Sequence, residues 1–533
     1  MRRWNGWGDD SIDVPLPAAA AELLTALVGP GTRPRDALLA DVVAAVPAGR
    51  LAAHPMLDDD AEARVRHARG HSLPDWLALR SGRVGPMPDA VVHPADTGDV
   101  RRILDLASAT GARLIPYGGG TSVVGGVDVG PGEAPVITVA MDHLAGLTAI
   151  DDRSGLATFG AGTTGPAVET ALAEHGLTLG HYPQSWEQST VGGWVVTRSS
   201  GQQSIGYGRI ESLFAGGHLE TPAGPMDLPT FPASAAGPDL RHLILGSEGR
   251  AGILTDVVVR ATSIPDTERF DAFVLPDWGR TMEVARSLAQ ARLPISMVRA
   301  STPLETATAF ALAADPTSVR WLKRYLALRG QDIGRCLVIV AMTGRAAVVG
   351  AAAGEVARIV RSNGGVGAPR VGHTWHRERF AAPYLRNTLW DAGYAVDTLE
   401  TAADWRRIGP LAAALGPTLR HGLEQLGERV HAFTHLSHVY PSGSSLYTTY
   451  VFRLADDPDD TLERWRRLKT AASEVIVSHG GTITHQHGIG RDHAPYLPAE
   501  KGPLGMTTIR ASLEVLDPGG LMAPGVLLEE GPE

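Results

Sequence analysis

The chain has 533 residues, 44% of them hydrophobic, which is enough to bury substantial cores and suits two globular units better than one. Its 48 Lys and Arg against 58 Asp and Glu give a net charge of −10, which argues against a broad electrostatic footprint on nucleic acid. The single cysteine, Cys336, excludes an internal disulfide and any multi-cysteine metal centre, and points to a reducing compartment.

The opening MRRWNGWGDD has two arginines but neither an apolar run nor a small-residue cleavage site behind them, so no secretory signal is read. No stretch reaches a membrane-spanning length, and a cytoplasmic protein is expected. Ala/Leu-rich runs at 18–28 and 36–46, broken by Pro30, Pro34 and Pro47, predict a helical segment over residues 1–85. From 86 to 265 the pattern becomes that of a separate domain. PDAVVHP and ARLIPY read as strands around the helix TGDVRRILDLASATG, closed by Gly111. VITVAM and LTAIDDRSGLATFGAG read as further strands, TTGPAVETALAEHG as a helix ended by Gly176, and 241–264 as a turn leading into a β-branched strand. Residues 266–495 predict a second domain of α+β type, an antiparallel sheet backed by helices. Its strands are FDAFVLP, ISMVRAS, CLVIVAM, 430–438 and 445–454; its helices are 278–291, 346–362 and 460–479, the last with Trp465, Leu468, Ala472, Val475 and Ile476 on one face. Residues 496–533 are expected to return to the first domain, with DPGGLMAPGVLL docking as irregular structure.

The sharpest local feature is Pro116-Tyr117-Gly118-Gly119-Gly120-Thr121-Ser122, directly after a predicted strand. Three glycines let successive backbone N–H groups converge on an anion, and Thr121 and Ser122 add hydroxyl donors, so the loop reads as a phosphate cradle. It is not the G-x-G-x-x-G fingerprint, because Val123 stands where the third glycine belongs, and it lacks the lysine of a P-loop. Three later stretches interleave small hydroxyl residues with glycine: Gln184-Ser185-Trp186-Glu187-Gln188-Ser189-Thr190-Val191-Gly192-Gly193, then Thr197-Arg198-Ser199-Ser200-Gly201, then Gly246-Ser247-Glu248-Gly249-Arg250-Ala251-Gly252-Ile253-Leu254. Each alone is also what a plain turn looks like; their joint order carries the signal.

PYGGGTS, QSWEQSTVGGW, TRSSG and GSEGRAGIL, in that order, resemble the FAD-binding half of the vanillyl-alcohol oxidase superfamily, the PCMH-type fold. Within it the chain is most similar to the alkyl-dihydroxyacetonephosphate synthase family. WNGWG, HARGHSLPDWLALRSG, FAAPYLRNTLWDAGYAVDTLETAADW, HLSHVYPSGSSLY and GGTITHQHGIG extend the resemblance over nearly the whole chain. The resemblance implies an α+β protein: a two-subdomain PCMH-type FAD-binding domain plus an α+β cap domain with an antiparallel sheet. It implies FAD at Pro116–Ser122, Gln184–Thr190, Thr197–Ser200 and Glu248–Leu254, bound non-covalently, since the glycine loop offers no His or Cys to tether the ring.

The same resemblance implies roles for five side chains. Arg386, in PYLRNTLWD, would grip a substrate phosphate, as a guanidinium can bidentately. Tyr447 would act as acid or base, with Tyr450 close enough to leave the register open. His485 and His487 would carry protons, and an extended segment would put both on one face. Arg299, in MVRAS, is the weakest match. His435 and His438 are expected to line the pocket. The family pattern has three successive histidines where this chain has Gln486 in the middle, and glutamine cannot titrate. No metal is expected, because HLSHVYPSG lacks the G-D-G-N that follows the metal-binding histidine of related hydroxy-acid dehydrogenases. The activity implied is exchange of the acyl group of acyl-dihydroxyacetone phosphate for a fatty alcohol, an ether-lipid precursor being formed without net redox. An FAD-dependent oxidase or dehydrogenase of an alcohol or 2-hydroxy acid is the alternative, favoured by Gln486 and by Ala523-Pro524-Gly525-Val526 in place of a closing N-P-G-K. A small-molecule or lipid-like substrate leaves room for peripheral membrane contact, and a homodimer is left open.

Overall fold

The computed structural model describes residues 1–312 and 334–529; residues 313–333, inside the second expected domain, and 530–533, at the end of the expected C-terminal segment, lie outside the described residues. Four short helices, Ala18–Leu27, Leu39–Ala44, Ala61–Arg66 and Leu73–Ser81, occupy the N-terminal stretch. The fourth matters most for the site. Ser72 and Asp75 close a capping box at its start and Gly82 turns left-handed at its end, while Leu73 and Trp76 are buried.

Strands Ala90–Val92, Val136–Ala140 and Arg113–Tyr117 form a parallel sheet in that spatial order. Val91, Ile137, Val139 and Leu114 are fully buried, as a parallel sheet covered on both faces requires. The intervening helix Thr97–Thr110 is capped by Asp96 and buries Val100, Ile103, Leu104 and Ala107 at helical spacing before Gly111 ends it. A second, five-stranded antiparallel sheet runs Leu147–Asp151, Leu156–Gly160, Ile253–Arg260, Phe214–Thr221 and Gly224–Leu228. These two sheets are the two lobes of the first half. Its hairpin 214–228 is absent from the sequence reading, since GGHLETPAGPMD shows little alternation.

The second half is built on a seven-stranded sheet, all of whose pairings are antiparallel. Its order is Val366–Gly367, Thr267–Leu275, Cys336–Gly344, Ile295–Ser301, His431–Leu436, Gly443–Arg453 and Tyr394–Asp404. Alternation divides its faces. Val338, Val340 and Met342 join the core beneath helices Trp278–Gln290 and Ala346–Ser362, whereas Leu337 and Ile339 line a cavity. Helix Trp405–His421 packs on the last three strands and carries Pro458–Ser478 on its back; Trp465, Leu468, Ala472 and Ile476 are buried there and Val475 is half-buried.

After helix Leu497–Leu516 the tail is irregular. The Leu114 N–H donates to Leu521 O at 2.8 Å and Ala523 N–H donates to Leu114 O at 2.8 Å, so the tail covers the open edge of strand Arg113–Tyr117. Asp517 pins the approach by accepting from the N–H groups of Leu521 and Met522 at 2.9 and 2.8 Å.

Candidate active site

A cavity of about 1980 Å³ runs from the glycine loop, across the bare face of the seven-stranded sheet, to an apolar end. It is larger than the ~300–1,000 Å³ that suits a single drug-sized ligand. At the glycine loop, Pro116, Gly118, Gly119, Gly120, Thr121 and Ser122 form the wall, and none of the N–H groups of Gly119, Gly120 and Thr121 donates to a protein acceptor among the described residues. The glycines are needed for a further reason. A Cβ on Gly119 would overlap the carbonyl of Gln188, one on Gly118 the hydroxyl of Thr190, and one on Gly120, at φ +62°, the ring of Tyr117. The loop is pressed against the 184–190 stretch, and both then face the cavity.

Gln184, Ser185, Ser189, Thr190, Thr197, Ser199, Ser200, Glu248, Gly249, Gly252, Ile253 and Leu254 line the same cavity. Tyr117, Trp186, Glu187, Gln188, Arg198, Arg250 and Ala251 stand behind this wall. Trp186 stacks on Phe380 with ring centroids 5.2 Å apart, Glu187 accepts from Tyr384 Oη at 2.9 Å, and Arg250 Nη1 donates to Met522 O at 3.0 Å. Tyr117 lies under the loop, Arg198 is a left-handed helix cap, and Ala251 is wholly buried. Glu248 is buried and accepts from the N–H groups of Ile489 and Gly490 at 2.5 and 2.7 Å, linking this half to the histidine loop; burial pushes its carboxyl up to about 7. A row of exposed donors on glycine backbones with hydroxyls beside them fits the phosphates of a dinucleotide cofactor.

The sheet supplies the opposite wall through one cross-strand row. Ser301 pairs with His435, His435 with Tyr447, and Tyr447 with Glu400. Side chains on such a row share a face. Tyr447 stacks on His435 at 5.0 Å and meets His487 edge-on at 5.7 Å. Burial pushes its phenol up to about 12, so it holds its proton at neutral pH. Tyr450, three residues on, faces the helices instead and donates to Asp397 Oδ2 at 2.8 Å. Arg299 donates to Glu305 Oε1 at 2.7 Å and reaches His435 Nε2 at 2.8 Å; although burial pushes Glu305 up, His435 and Arg299 hold it below the usual carboxylate range.

Arg386 is on helix Ala382–Asp391, with its guanidinium 4.2 Å from the centre of the Trp76 ring and Nη1 donating to His71 O at 2.6 Å. Its Nη2 is buried with no partner among the described residues, and burial pushes its pKa down to about 10, still protonated at neutral pH. The His71 N–H donates to Ser122 O at 2.6 Å, so one segment ties this arginine to the glycine loop.

His485 and His487 sit in a loop rather than in the extended segment expected, yet both approach one carboxylate. His485 Nδ1 is 3.3 Å from Glu400 Oε1, His487 Nε2 is 4.0 Å from Oε2, and Gln486 Nε2 donates to Oε2 at 2.7 Å. His487 and Gln486 line the cavity; His485 lies behind, its Nε2 2.6 Å from Tyr440 Oη, and burial pushes its imidazole down to about 4. His435 and His438 diverge because the strand ends at Leu436, and His438 turns to Glu400 with Nδ1 3.1 Å from Oε1. Sequence reading gives Glu400 no role. A lone acid inside TLETAAD has no periodicity or spacing that reveals it as the meeting point of four distant side chains. Donor atoms of Glu400, His438 and His485 lie within 4.8 Å of one another; Glu400 Oε1 is hydrogen-bonded to His438 Nδ1 at 3.1 Å, while His485 Nδ1 approaches it to 3.3 Å without hydrogen-bond geometry.

Two family models match: the FAD binding domain over residues 88–226 and the C-terminal domain of FAD linked oxidases over 264–527. Alkyldihydroxyacetonephosphate synthase of Trypanosoma brucei brucei is 30% identical, covering 89% of this chain and 78% of the relative; that of Dictyostelium discoideum is 28% identical, covering 99% and 93%. A solved alkyldihydroxyacetonephosphate synthase superposes with a TM-score of 0.84 at 26% identity, covering 98% of both chains. A 4-ethylphenol oxidase, 14% identical with a TM-score of 0.67, shares the fold. The α+β architecture is thus that of the PCMH-type, vanillyl-alcohol oxidase-like flavoproteins, and FAD is the cofactor that the glycine cradle fits. The chain belongs to the alkyldihydroxyacetonephosphate synthase family of FAD-dependent enzymes.

Proposed function

We propose that this chain makes an ether-lipid precursor, replacing the acyl group of acyl-dihydroxyacetone phosphate by a long-chain alcohol. One observation carries the reading: a single cavity holds the glycine cradle, a guanidinium with a buried nitrogen unpartnered among the described residues, a protonated phenol and an apolar end. The apolar end is lined by Leu23, Leu24, Leu385, Leu389, Phe433 and Val451, which suits an alkyl chain. When bound, the flavin supplies an electrophilic ring without net redox. It is held non-covalently at Pro116–Ser122, Gln184–Thr190, Thr197–Ser200 and Glu248–Leu254, with the buried members of each stretch acting as support. Arg386 grips the phosphate and Arg299 orients His435. Tyr447 and His487 hold the proton lost from C1 and return it; the bond from C1 to the acid oxygen breaks and one to the alcohol oxygen forms. The alcohol's proton leaves with the departing acid.

The domain reading is a helical segment at 1–85, the FAD domain at 86–265, the cap at 266–495 and a returning segment at 496–533. No helix among the described residues is long and apolar enough to cross a membrane, and we place the enzyme in the cytoplasm, meeting its lipid-like substrate at a membrane surface. Incubation of holoenzyme with acyl-dihydroxyacetone phosphate and a labelled fatty alcohol is expected to yield labelled ether; none at any enzyme concentration would refute the proposal.

A further inference from the structure

We infer that His438, held in place by Glu400, is a further catalytic residue that carries a proton at the substrate cavity, taking over the part that Gln486 cannot play. This rests on the ether-forming reading above. His438 lines the cavity beside Tyr447 and His487 yet is only 5% exposed. Its backbone is fixed: the N–H donates to Ser445 Oγ at 2.9 Å and the carbonyl accepts from Ser445 N at 2.7 Å and from Ser444 Oγ at 3.2 Å. Its ring is fixed as well, through Nδ1 at 3.1 Å from Glu400 Oε1, which makes Nδ1 the donor and leaves Nε2 as the atom free to take or give a proton. That Nε2 is buried with no partner among the described residues.

The charge balance points the same way. Glu400 is 1% exposed and, among the described residues, no lysine or arginine lies within ion-pair distance of it; its only partners of that kind are His438, His485 and His487. A buried carboxylate without a cation is strongly unfavourable, so the cluster is built to share one proton as an imidazolium. His485 has its other nitrogen engaged by Tyr440, and His487 stands 4.0 Å away, beyond a hydrogen bond. Gln486 donates its amide to the second carboxylate oxygen, which anchors Glu400 but stores no proton. Among the described residues His438 is thus the one ring hydrogen-bonded to Glu400, and it lines the cavity with its Nε2 unpartnered. Glu400 acts through it as a positioning residue.

The test compares holoenzymes for ether formation and for exchange of the C1 hydrogen in D2O. His438→Asn keeps an amide near Nδ1 for Glu400 but has nothing at Nε2. It is expected to load FAD normally, to lower kcat at least about tenfold with KM changed less than about threefold, and to slow C1 exchange in proportion. Glu400→Gln is expected to lower kcat in the same direction, and Glu400→Asp to recover part of the loss. A His438→Asn enzyme within twofold of wild-type kcat would overturn the inference. So would a stoichiometric divalent ion whose removal by chelator abolishes activity, since the cluster would then be holding that ion. If His438→Asn does not load FAD, Glu400→Asp decides: unchanged kcat overturns, reduced kcat at unchanged KM supports. Wild-type enzyme that forms no ether and exchanges no C1 hydrogen would refute the proposed function itself, and the inference with it.

Discussion

At the scale of single residues, the site depends on groups whose protonation is set by burial. Arg386 offers an Nη2 that has no partner among the described residues, and a charge-assisted hydrogen bond to phosphate is worth about 1.5–3 kcal/mol. Arg386→Leu is therefore expected to raise KM for the phosphorylated substrate about 10–100-fold, read from steady-state kinetics, with FAD content unchanged. Glu248 provides a test by pH. Its folded pKa, about 7, lies above the ordinary carboxyl value of 4.5, so its contribution to stability is full below pH 4.5 and lost as pH rises towards 7. Relative to wild type, FAD-free Glu248→Gln protein should gain stability between pH 4.5 and 7 by up to about 3 kcal/mol in urea unfolding, and a constant difference would contradict this. Arg386, Tyr447 and His487 sit in motifs visible in the sequence, and all three line the cavity. Glu400 and the true setting of His438 were not legible there, because their meaning lies in side chains brought together from three distant stretches.

At the scale of elements, periodicity found what local pattern can specify. Helix Thr97–Thr110, with Asp96 before it and Gly111 after it, and the β-branched strand Ile253–Arg260 fall where the apolar spacing puts them. Strand Tyr394–Asp404 escaped detection because Asp397, Thr398, Glu400 and Thr401 interrupt its alternation; Asp397, Glu400 and Thr401 find their partners in distant residues, Tyr450, His438 and Thr482 among them. Helix Trp405–His421 escaped because Pro410 and Pro417 sit inside it, and packing on the sheet overrides their local preference. The glycine loop was legible as a cradle, but the reason for each glycine was only half visible. Gly119 must lack a Cβ because the carbonyl of Gln188 occupies that space. Gly119→Ala is accordingly expected to push the two walls apart and purify with little flavin, measured by the absorbance ratio of flavin to protein; full yellow occupancy would show that the loops need not touch.

On the scale of the whole molecule, the two halves are joined by long-range contacts at the site. Glu248 of the first half holds the backbone of the histidine loop, His71 links Ser122 to Arg386, and the C-terminal tail returns to the edge strand that leads into the glycine loop. The proposed function brings cofactor and substrate together within this one cavity, which is what group transfer without free intermediates demands. The most direct measurement is anaerobic turnover with acyl-dihydroxyacetone phosphate and labelled fatty alcohol while flavin absorbance is followed. Many equivalents of labelled ether per flavin, with no net bleaching and no oxygen requirement, are predicted. Flavin that bleaches once and recovers only when oxygen is admitted, with no ether formed, would mark an oxidase and contradict the transferase.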